Sequence, residues 1–313
     1  VLYGDEATIS AELARQPSLQ GRVEVRHTDR VVAMDEKPAQ ALRRGKGTSM
    51  WSAIEAVKAG QAQAAVSAGN TGALMAMSLL ILRMSVPVER PCLVVSWPGV
   101  KGVSTVLDVG ANVDCDAERL VEFAIMGEAF HRAAHGVARP SVGLLNIGSE
   151  EMKGHEEVRQ AHAILRSGKF DLDYRGFVEG DELSQNKTDV IVTDGFTGNI
   201  ALKTAEGTAK YVGGELRAAL TSSLITKLGA LLARSGLLAF REKLSPDAAA
   251  PLLGLNGVVV KSHGGASERD IASAIRMAAK LARSDFAAEI ERNMTRLTAA
   301  VADQQPPAVD GAA

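Results

Sequence analysis

Along the chain, the pattern of apolar and polar positions switches repeatedly between short strand-like runs and longer segments with the spacing of a helix. Short runs of β-branched and other apolar residues predict strands. These runs are Arg22–Arg26, Ala64–Ser67, Cys92–Trp97, Thr105–Val109, Ser141–Ile147, Asp189–Thr193 and Gly257–Lys261. Between them, segments rich in Ala, Leu, Glu and Lys at helical spacing predict helices over Ser49–Ala59, Gly72–Arg83, Ala117–His135, Glu150–Ser167, Asn199–Ala219 and Glu268–Ala282.

This alternation of strands and helices indicates an α/β fold with a mainly parallel sheet and helices on both faces. The apolar run Asp189–Val192 is typical of a strand that is buried on both sides. A chain of 313 residues suits one large α/β domain or two small ones. We predict a single domain over residues 1–295, with a helical hairpin insertion at 215–245 and a disordered tail at 296–313.

The candidate chemistry lies in the loops that follow the predicted strands, because open α/β sheets bind ligands beyond the carboxyl ends of their strands. Five of these loops combine glycine with small polar side chains. Glycine allows close backbone approach, and helix N-termini offer unpaired N–H groups to an anion. Helix caps and turns use the same residues, so each loop alone also has a purely structural explanation. The candidate binding residues are Asn70, Thr71, Gly72, Asp108, Asn112, Asn146, Asp194, Thr197, Asn199 and His263, with Lys153, Lys203 and Lys261 as sources of positive charge.

Several common chemistries lack their motifs. Neither G-x-x-x-x-G-K-[ST] nor G-x-G-x-x-G follows a strand, which argues against a P-loop or a standard dinucleotide site. The G-x-S-x-G motif of serine hydrolases is missing too, and Cys92 and Cys115 form no C-x-x-C pair. His131 and His135 stand four residues apart without an obvious third metal ligand, so a solvated helix face is the favoured interpretation. We predict no metal and no cofactor.

Charge and hydropathy limit the partners. The formal net charge of −2 argues against a general nucleic-acid binder. No apolar run reaches the ~18 residues that a spanning helix needs, and Val1–Asp5 lacks a signal-peptide pattern. We therefore expect a protein that does not cross a membrane. The loop that carries Arg43, Arg44 and Lys46 has three interpretations: a phosphate site, a contact for an acidic partner, and a solvated charge cluster.

The stretch Glu215–Ser245 is rich in leucine, and its basic residues outnumber its acids by five to two. A basic amphipathic helix pair can lie in a membrane interface. A dimer interface or a helix packed on the core explains the leucines equally well. For the membrane interpretation, we predict a helical hairpin with Gly229 or Ser235–Gly236 near its turn. The candidate membrane residues are Leu224, Leu228, Leu231, Leu232, Leu237 and Leu238.

Seven blocks of sequence occur in a distinctive order. They are Met34–Pro38, Arg44–Met50, Ser67–Ala73, Leu107–Asn112, Leu144–Gly148, Thr193–Asn199 and Lys261–Gly264. In this order they closely resemble the bacterial phosphate acyltransferase family PlsX. The similarity runs from about Gly4 to Arg283, nearly the whole chain. Family members carry a further strand ending in Asp-Ala-Met-Gly-Gly-Asp ahead of the part that this sequence resembles, and that strand forms part of the active-site rim.

The resemblance implies a Rossmann-like α/β/α sandwich that converts long-chain acyl-[acyl carrier protein] and inorganic phosphate into acyl phosphate, which feeds phospholipid synthesis. It implies Lys153 and Asn199 as the catalytic pair. With the acidic carrier protein as substrate, the acidic-partner interpretation of the basic loop makes Arg43, Arg44 and Lys46 its docking residues. The resemblance also implies a cytoplasmic homodimer bound peripherally to the inner face of the membrane. Two alternatives stay open: a phosphate acetyl- or butyryltransferase that uses coenzyme A, and an inactive membrane-bound scaffold for lipid enzymes.

Overall fold

The computed structural model of the chain describes residues 1–85, 88–168, 170–244 and 249–302. Contacts between Cα atoms divide the chain into two compact units. The first unit comprises Val1–Pro91 with Ala248–Glu291, and the second comprises Cys92–Asp247 with the residues from Arg292 onward. Both units combine helices with strands that are mainly parallel, so the predicted α/β class is confirmed.

The strands of the first unit form two hydrogen-bonded sets. Its elements, numbered along the whole chain, are β1 (Leu2–Gly4), α1 (Glu6–Ala14), β2 (Val25–His27), α2 (Pro38–Arg44), α3 (Ser49–Lys58), β3 (Ala64–Ser67), α4 (Thr71–Leu82), β9 (Ala249–Leu253), β10 (Val258–Ser262) and α10 (Glu268–Ala282). Strands β1 and β2 pair in parallel. Strand β10 pairs in parallel with β3 and antiparallel with β9. Helix α10 packs against all three strands of this second set.

The second unit contains one sheet, in the strand order β4-β5-β8-β6-β7. Its elements are β4 (Cys92–Gly99), β5 (Gly102–Leu107), α5 (Ala117–His135), β6 (Ser141–Leu145), α6 (Glu156–Arg166), β7 (Asp173–Val178), β8 (Val190–Val192), α7 (Gly195–Thr221), α8 (Leu224–Leu232) and α9 (Arg234–Leu244). Strands β4 and β5 form an antiparallel hairpin, and the other neighbours run parallel. The division between the units falls within α11 (Phe286–Ala302).

Helix α5 forms the centre of the second unit's core. It packs against β5, β6 and β8, and nearly every one of its side chains is buried, including Phe123 and Phe130. Asp116 caps its first turn, and Gly136 ends it in the left-handed conformation. The solvated face predicted for His131 is wrong, because its side chain lies inside the unit, with Nδ1 2.8 Å from Thr105 Oγ1. A helix surrounded by packing partners buries its polar positions as well as its apolar ones.

The leucine-rich stretch is divided among three helices. Helix α7 continues to Thr221, α8 packs against it, and α9 contacts β4. The break between α8 and α9 lies at Ala233, whose N–H bonds to the Gly229 carbonyl. The turn predicted at Gly229 or at Ser235–Gly236 is therefore displaced, since Gly229 lies inside α8 and Ser235–Gly236 lies inside α9. A single glycine weakens a helix without ending it.

Two expectations concern the chain's end and the membrane. The tail predicted from residue 296 is helical as far as Ala302, and residues 303–313 lie outside the described part of the chain. Within the described ranges, every helix is too short or too polar to span a bilayer.

Candidate active site

The loop that follows β5 is organised around the carboxylate of Asp108. This side chain is fully buried and accepts hydrogen bonds from the backbone N–H groups of Leu93, Gly110, Ala111 and Asn112. The side-chain amide of Asn112 donates a further bond to Asp108 Oδ2 at 2.9 Å. Burial raises the pKa of Asp108, and these hydrogen bonds act in the opposite direction. Asp108 and Asn112 thus hold a rigid loop at the carboxyl end of the strand.

The N-terminus of α7 packs directly on this loop. The Gly195 N–H donates to the Asn112 carbonyl at 2.7 Å, and the Asn199 amide donates to the Val109 carbonyl at 3.0 Å. A Cβ atom at Gly198 would lie 2.0 Å from the Asp108 carbonyl oxygen, so only glycine fits there. The structure therefore joins the start of α7, which carries Asn199, to the loop that Asp108 and Asn112 organise.

The helix cap of α7 uses the two other predicted residues. Asp194 is the N-cap, and its carboxylate accepts hydrogen bonds from the Thr197 backbone N–H and from the Thr197 hydroxyl, at 2.8 and 2.7 Å. Both side chains are thus paired with each other. The first turn of a helix also carries unpaired N–H groups and the positive end of the helix dipole, which favour an anion.

The loop that follows β6 holds Lys153. The Asn146 amide donates to the carbonyls of Gly148 and Lys153, at 3.1 Å each, and so closes the loop on itself. The Lys153 ammonium lies 2.9 Å from the Glu150 carboxylate, and both side chains are about half exposed. The hydrogen bond from Lys153 lowers the pKa of Glu150. Glu150 was not among the predicted site residues, although its spacing of three from Lys153 is a signal for an ion pair.

These three loops share one edge of the second unit's sheet. Strand β8 lies between β5 and β6 and runs parallel to both. Their carboxyl ends therefore meet on the same side, as the strand pattern predicts. Asp108, Asn112, Asp194, Thr197 and Asn199 form one connected group, while Asn146, Glu150 and Lys153 form a second group within their own loop.

The first unit holds the remaining predicted residues. Asn70 caps α4 by accepting from the Ala73 N–H, and its amide donates to the carbonyls of Ala33, Met34 and Glu36. Thr71 and Gly72 occupy the first turn of that helix, where N–H groups lack intrahelical partners. The Asn70 side chain thus fixes the 33–36 segment on the helix start.

The loop after β10 lies beside this cap. A Cβ atom at Gly264 would meet the Met34 side chain at 2.7 Å and the Ala68 carbonyl at 3.7 Å. His263 is exposed, and its Nδ1 accepts from the Gly265 N–H at 3.1 Å. In this respect His263 stabilises its own loop. Lys261 is buried just before it, and burial lowers the pKa of its ammonium group. Lys261 was a predicted source of positive charge, and its burial, like that of Ser262 beside it, could not be read from the sequence.

The basic loop is exposed and internally braced. Arg43, Arg44 and Lys46 have exposed side chains. The Arg30 guanidinium donates to the backbone carbonyls of Arg44 and Lys46, at 2.6 and 2.7 Å. Arg30 therefore fixes the backbone of the loop, while the charged side chains of the loop stay exposed to solvent.

Neither cysteine is an activated thiol. Burial raises the pKa of Cys92, and it raises the pKa of Cys115 to about 12. Such thiols are poor nucleophiles at neutral pH. No group of three or more His, Cys, Asp or Glu side chains in the described part of the chain is arranged to hold a metal ion.

Comparison with known proteins places this site in a family. The family described as "Fatty acid synthesis protein" matches residues 1–289 of the chain. The chain belongs to this family. A relative from Phenylobacterium zucineum named "Phosphate acyltransferase" is 69% identical over 313 residues, which cover 100% of this chain and 89% of that protein. A relative of the same name from Caulobacter vibrioides is 61% identical over 317 residues, covering 99% of this chain and 88% of that protein.

Solved structures support the fold at much lower sequence identity. The EutD phosphotransacetylase from Staphylococcus aureus superimposes with a TM-score of 0.58 and 17% identity, covering 90% of this chain and 86% of that one. A phosphotransacetylase from Streptococcus pyogenes gives a TM-score of 0.55 and 19% identity, covering 82% and 78%. The chain therefore shares its Rossmann-like α/β fold with proteins whose sequences are only distantly similar.

Proposed function

We propose that this protein transfers the acyl group of an acyl-[acyl carrier protein] to inorganic phosphate. The products are acyl phosphate, for phospholipid synthesis, and the free carrier protein. The observation that carries the proposal is the 69% identity to a phosphate acyltransferase across the whole chain. The chemistry of the site is consistent with this activity, because glycine loops and helix N-termini with a nearby lysine suit an anionic substrate such as phosphate.

The reaction needs no protein nucleophile. A phosphate oxygen attacks the thioester carbonyl carbon, and a new O–C bond forms as the carbonyl becomes a tetrahedral oxyanion. The oxyanion collapses, the C–S bond breaks, and the carrier thiolate leaves and takes up a proton from water. The unactivated thiols of Cys92 and Cys115 are consistent with this route.

Lys153 and Asn199 are the proposed catalytic residues. The Lys153 ammonium supplies positive charge at the sheet edge, and Asn146 and Glu150 keep it in place. One N–H of the Asn199 amide is bonded to the Val109 carbonyl, and the amide carries a second N–H that can donate to the developing oxyanion. Donors held in position before the reaction stabilise charge most effectively.

The other polar residues are proposed to bind substrate or to shape its site. Thr71 and Gly72 offer first-turn N–H groups to phosphate, and His263 offers its imidazole from the loop after β10. Asp108, Asn112 and Asn146 act by holding the loops, since their side chains are committed to internal hydrogen bonds. Asp194 and Thr197 order the start of α7, and Asn70 orders the start of α4.

The surface supports three further proposals. Arg43, Arg44 and Lys46 dock the acidic carrier protein. The chain forms a homodimer and binds peripherally to the cytoplasmic face of the membrane through the leucines of α8 and α9. Leu224, Leu228, Leu231, Leu232 and Leu238 are all more than half exposed, while Leu237 is partly buried. Exposed apolar patches of this kind mark interaction surfaces.

One assay tests the activity directly. The protein is incubated with inorganic phosphate and either palmitoyl-carrier protein or palmitoyl-coenzyme A, and acyl phosphate is trapped with hydroxylamine. The proposal requires phosphate-dependent product with the carrier protein as the preferred donor. Preference for the coenzyme A thioester would make the protein a coenzyme A-dependent phosphate acyltransferase instead. A protein that binds membranes and forms no acyl phosphate, even with the family's Asp-Ala-Met-Gly-Gly-Asp strand fused ahead of Val1, would be a scaffold.

A further inference from the structure

The second unit contains a mainly apolar cavity of about 410 Å³ that the mechanism above does not use. Its walls come from the end of β4 and the turn that follows it, one face of α7, α9, and Ser184 in the segment between β7 and β8. Trp97 and Phe240 supply aromatic surface, and Leu202, Ala205 and Ala209 supply aliphatic surface. This volume falls within the range of about 300–1,000 Å³ that is typical of small-molecule sites.

The cavity continues the face of α7 that carries Asn199. The lining residues Leu202, Glu206 and Ala209 follow Asn199 at three, seven and ten positions, which is the spacing of a single helix face. Asn199 contacts the carboxyl end of β5 through the Val109 carbonyl, whereas the β4–β5 turn lies at the opposite end of that strand. Ten helical residues span ~15 Å. Helix α7 therefore runs from the catalytic edge, past the cavity, toward the far edge of the sheet.

The polar groups of the cavity wall do not form a polar binding site. The carboxylate of Glu206 is paired with Lys203 at 2.9 Å. Lys243 is exposed, and a lysine in that position can line the rim with its apolar stem while its charge stays in water. The Trp97 indole N–H is bonded to the Ser184 hydroxyl at 3.0 Å. Among the described residues, the buried Ser96 hydroxyl has no hydrogen-bond partner.

We propose that this cavity binds the acyl chain of the thioester substrate, with the carbonyl carbon at the Asn199 end and the methyl end toward the β4–β5 turn. The proposal rests on the proposed acyltransferase function and assigns its chain-length selectivity to α7. An apolar chain fits the mainly apolar lining of this cavity. Each methylene that leaves water on binding strengthens binding by a few-fold. Occupation by the apolar surface of a second copy is the competing outcome.

Filling the cavity gives the decisive test. Ala209→Phe and Ala205→Phe each place a larger side chain in the cavity. Thr208→Phe is the matched control, because Thr208 is exposed on the same helix outside the cavity. The measurement is kcat/KM for acyl phosphate formation with palmitoyl- and butyryl-carrier protein. The proposal requires at least a tenfold loss for palmitoyl transfer in the alanine variants, with butyryl transfer nearly unchanged. Both rates should stay near the wild type in Thr208→Phe. An unchanged ratio of palmitoyl to butyryl turnover in the alanine variants would overturn it.

A binding measurement separates this inference from the proposed function. Palmitoyl phosphonate, a non-reactive mimic of acyl phosphate, is titrated into each folded variant by calorimetry, with sedimentation to record the oligomeric state. Affinity lost in Ala209→Phe and kept in Thr208→Phe supports the cavity even if turnover is absent. Equal affinity in both overturns it, as does a change of oligomeric state without a change of affinity. Ser96→Ala adds a check on polarity, because an apolar occupant predicts affinity that is retained or higher, and a tenfold loss would contradict it.

Discussion

At the scale of single residues, Lys153 carries the most direct test of the site. Its ammonium is held in the loop after β6 and is about half exposed, so its removal leaves the core intact. We expect Lys153→Ala to lower kcat/KM for acyl phosphate formation at least tenfold, about 1.4 kcal/mol of transition-state stabilisation. Lys187→Ala is the control, because Lys187 also pairs with a glutamate on the surface of the second unit. Near-normal kinetics in a folded Lys153→Ala protein would remove this lysine from the site.

His131 makes stability depend on pH. Burial, followed by the neighbouring His135, lowers its pKa from 6.5 to about 4, so the folded protein holds it neutral. The unfolded chain takes up the proton first as the pH falls, and stability is therefore lost between pH 6.5 and pH 4. At pH 5 this loss is about 2 kcal/mol in the free energy of unfolding.

Denaturant titrations at pH 7.5 and pH 5 measure this effect. The drop in unfolding free energy should be smaller in His131→Gln than in the wild type. The exposed His155 offers the matched control His155→Gln, which should keep the wild-type drop. Equal drops in all three proteins would show that His131 does not titrate in this range.

The positions of the candidate residues could be predicted, but their contacts could not. The apolar runs indicate where the strands lie along the chain. Because ligands bind beyond the carboxyl ends of parallel strands, those positions identify the loops around Asp108, Asn146 and Asp194. The partners of Asn70 lie more than 30 residues earlier in the chain, at the Ala33 and Met34 carbonyls, and no local pattern encodes them. Hydrogen bonds over such separations depend on how loops meet in three dimensions.

The sequence Gly-x-Thr-Gly occurs at Gly69–Gly72 and again at Gly195–Gly198, and its two copies illustrate the same limit. Helix α4 begins at the threonine of its copy, Thr71, with Asn70 as the cap. Helix α7 begins two residues earlier in its copy, at Gly195, with Asp194 as the cap. The two matching sequences thus occupy different positions relative to their helix starts. The capping side chain, Asn70 or Asp194, accepts a hydrogen bond from a first-turn N–H and so marks where each helix begins.

At the scale of elements, the missed strands have identifiable causes. Strand β9 contains Pro251, which cannot donate to a sheet and argues against a strand in a sequence pattern. Strand β7 alternates apolar with charged and glycine residues and lies at the edge of its sheet, so it lacks a continuous apolar run. The sequence predicts the long buried helix α5 with its observed bounds. Its helical pattern extends over 19 residues, and Asp116 before it and Gly136 after it are typical cap residues.

Helix α8 carries the test of membrane binding. Leu231 and Leu232 are 65% and 80% exposed, and the basic residues nearby suit anionic lipid. We expect the double substitution Leu231→Glu and Leu232→Glu to abolish binding to vesicles of anionic lipid while preserving the fold and most activity on a soluble substrate. Flotation of the protein with vesicles measures the binding.

A matched double variant controls for added charge. Val31→Glu with Ile275→Glu introduces the same two carboxylates at exposed apolar positions of the first unit and should leave vesicle binding unchanged. If the α8 variant instead loses its dimer or unfolds, with vesicle binding falling only as a result, these leucines belong to an interface between copies and the membrane proposal fails.

At the scale of the whole molecule, the proposed role of the basic loop is to dock the carrier protein. Replacing Arg43, Arg44 and Lys46 by glutamate should raise KM for acyl-carrier protein and leave kcat nearly unchanged. The effect should shrink as salt screens the attraction between the charged surfaces. Steady-state kinetics at about 50 and about 500 mM salt, between which the Debye length falls roughly threefold, measure this effect. An activity loss that is independent of ionic strength would assign the loop to phosphate binding or folding, and exposed Arg22→Glu is the control.

The pairing of β3 with β10 has a consequence for the order in which the protein is made. Residues 64–67 bond along their length to residues 258–261, so the first unit's main sheet waits for nearly two hundred further residues to leave the ribosome. The five strands of the second unit lie within residues 92–192 and are available much earlier. Because non-local pairing is slow and leaves strand edges open, we expect the nascent first unit to stay incomplete for longer during translation than the second unit.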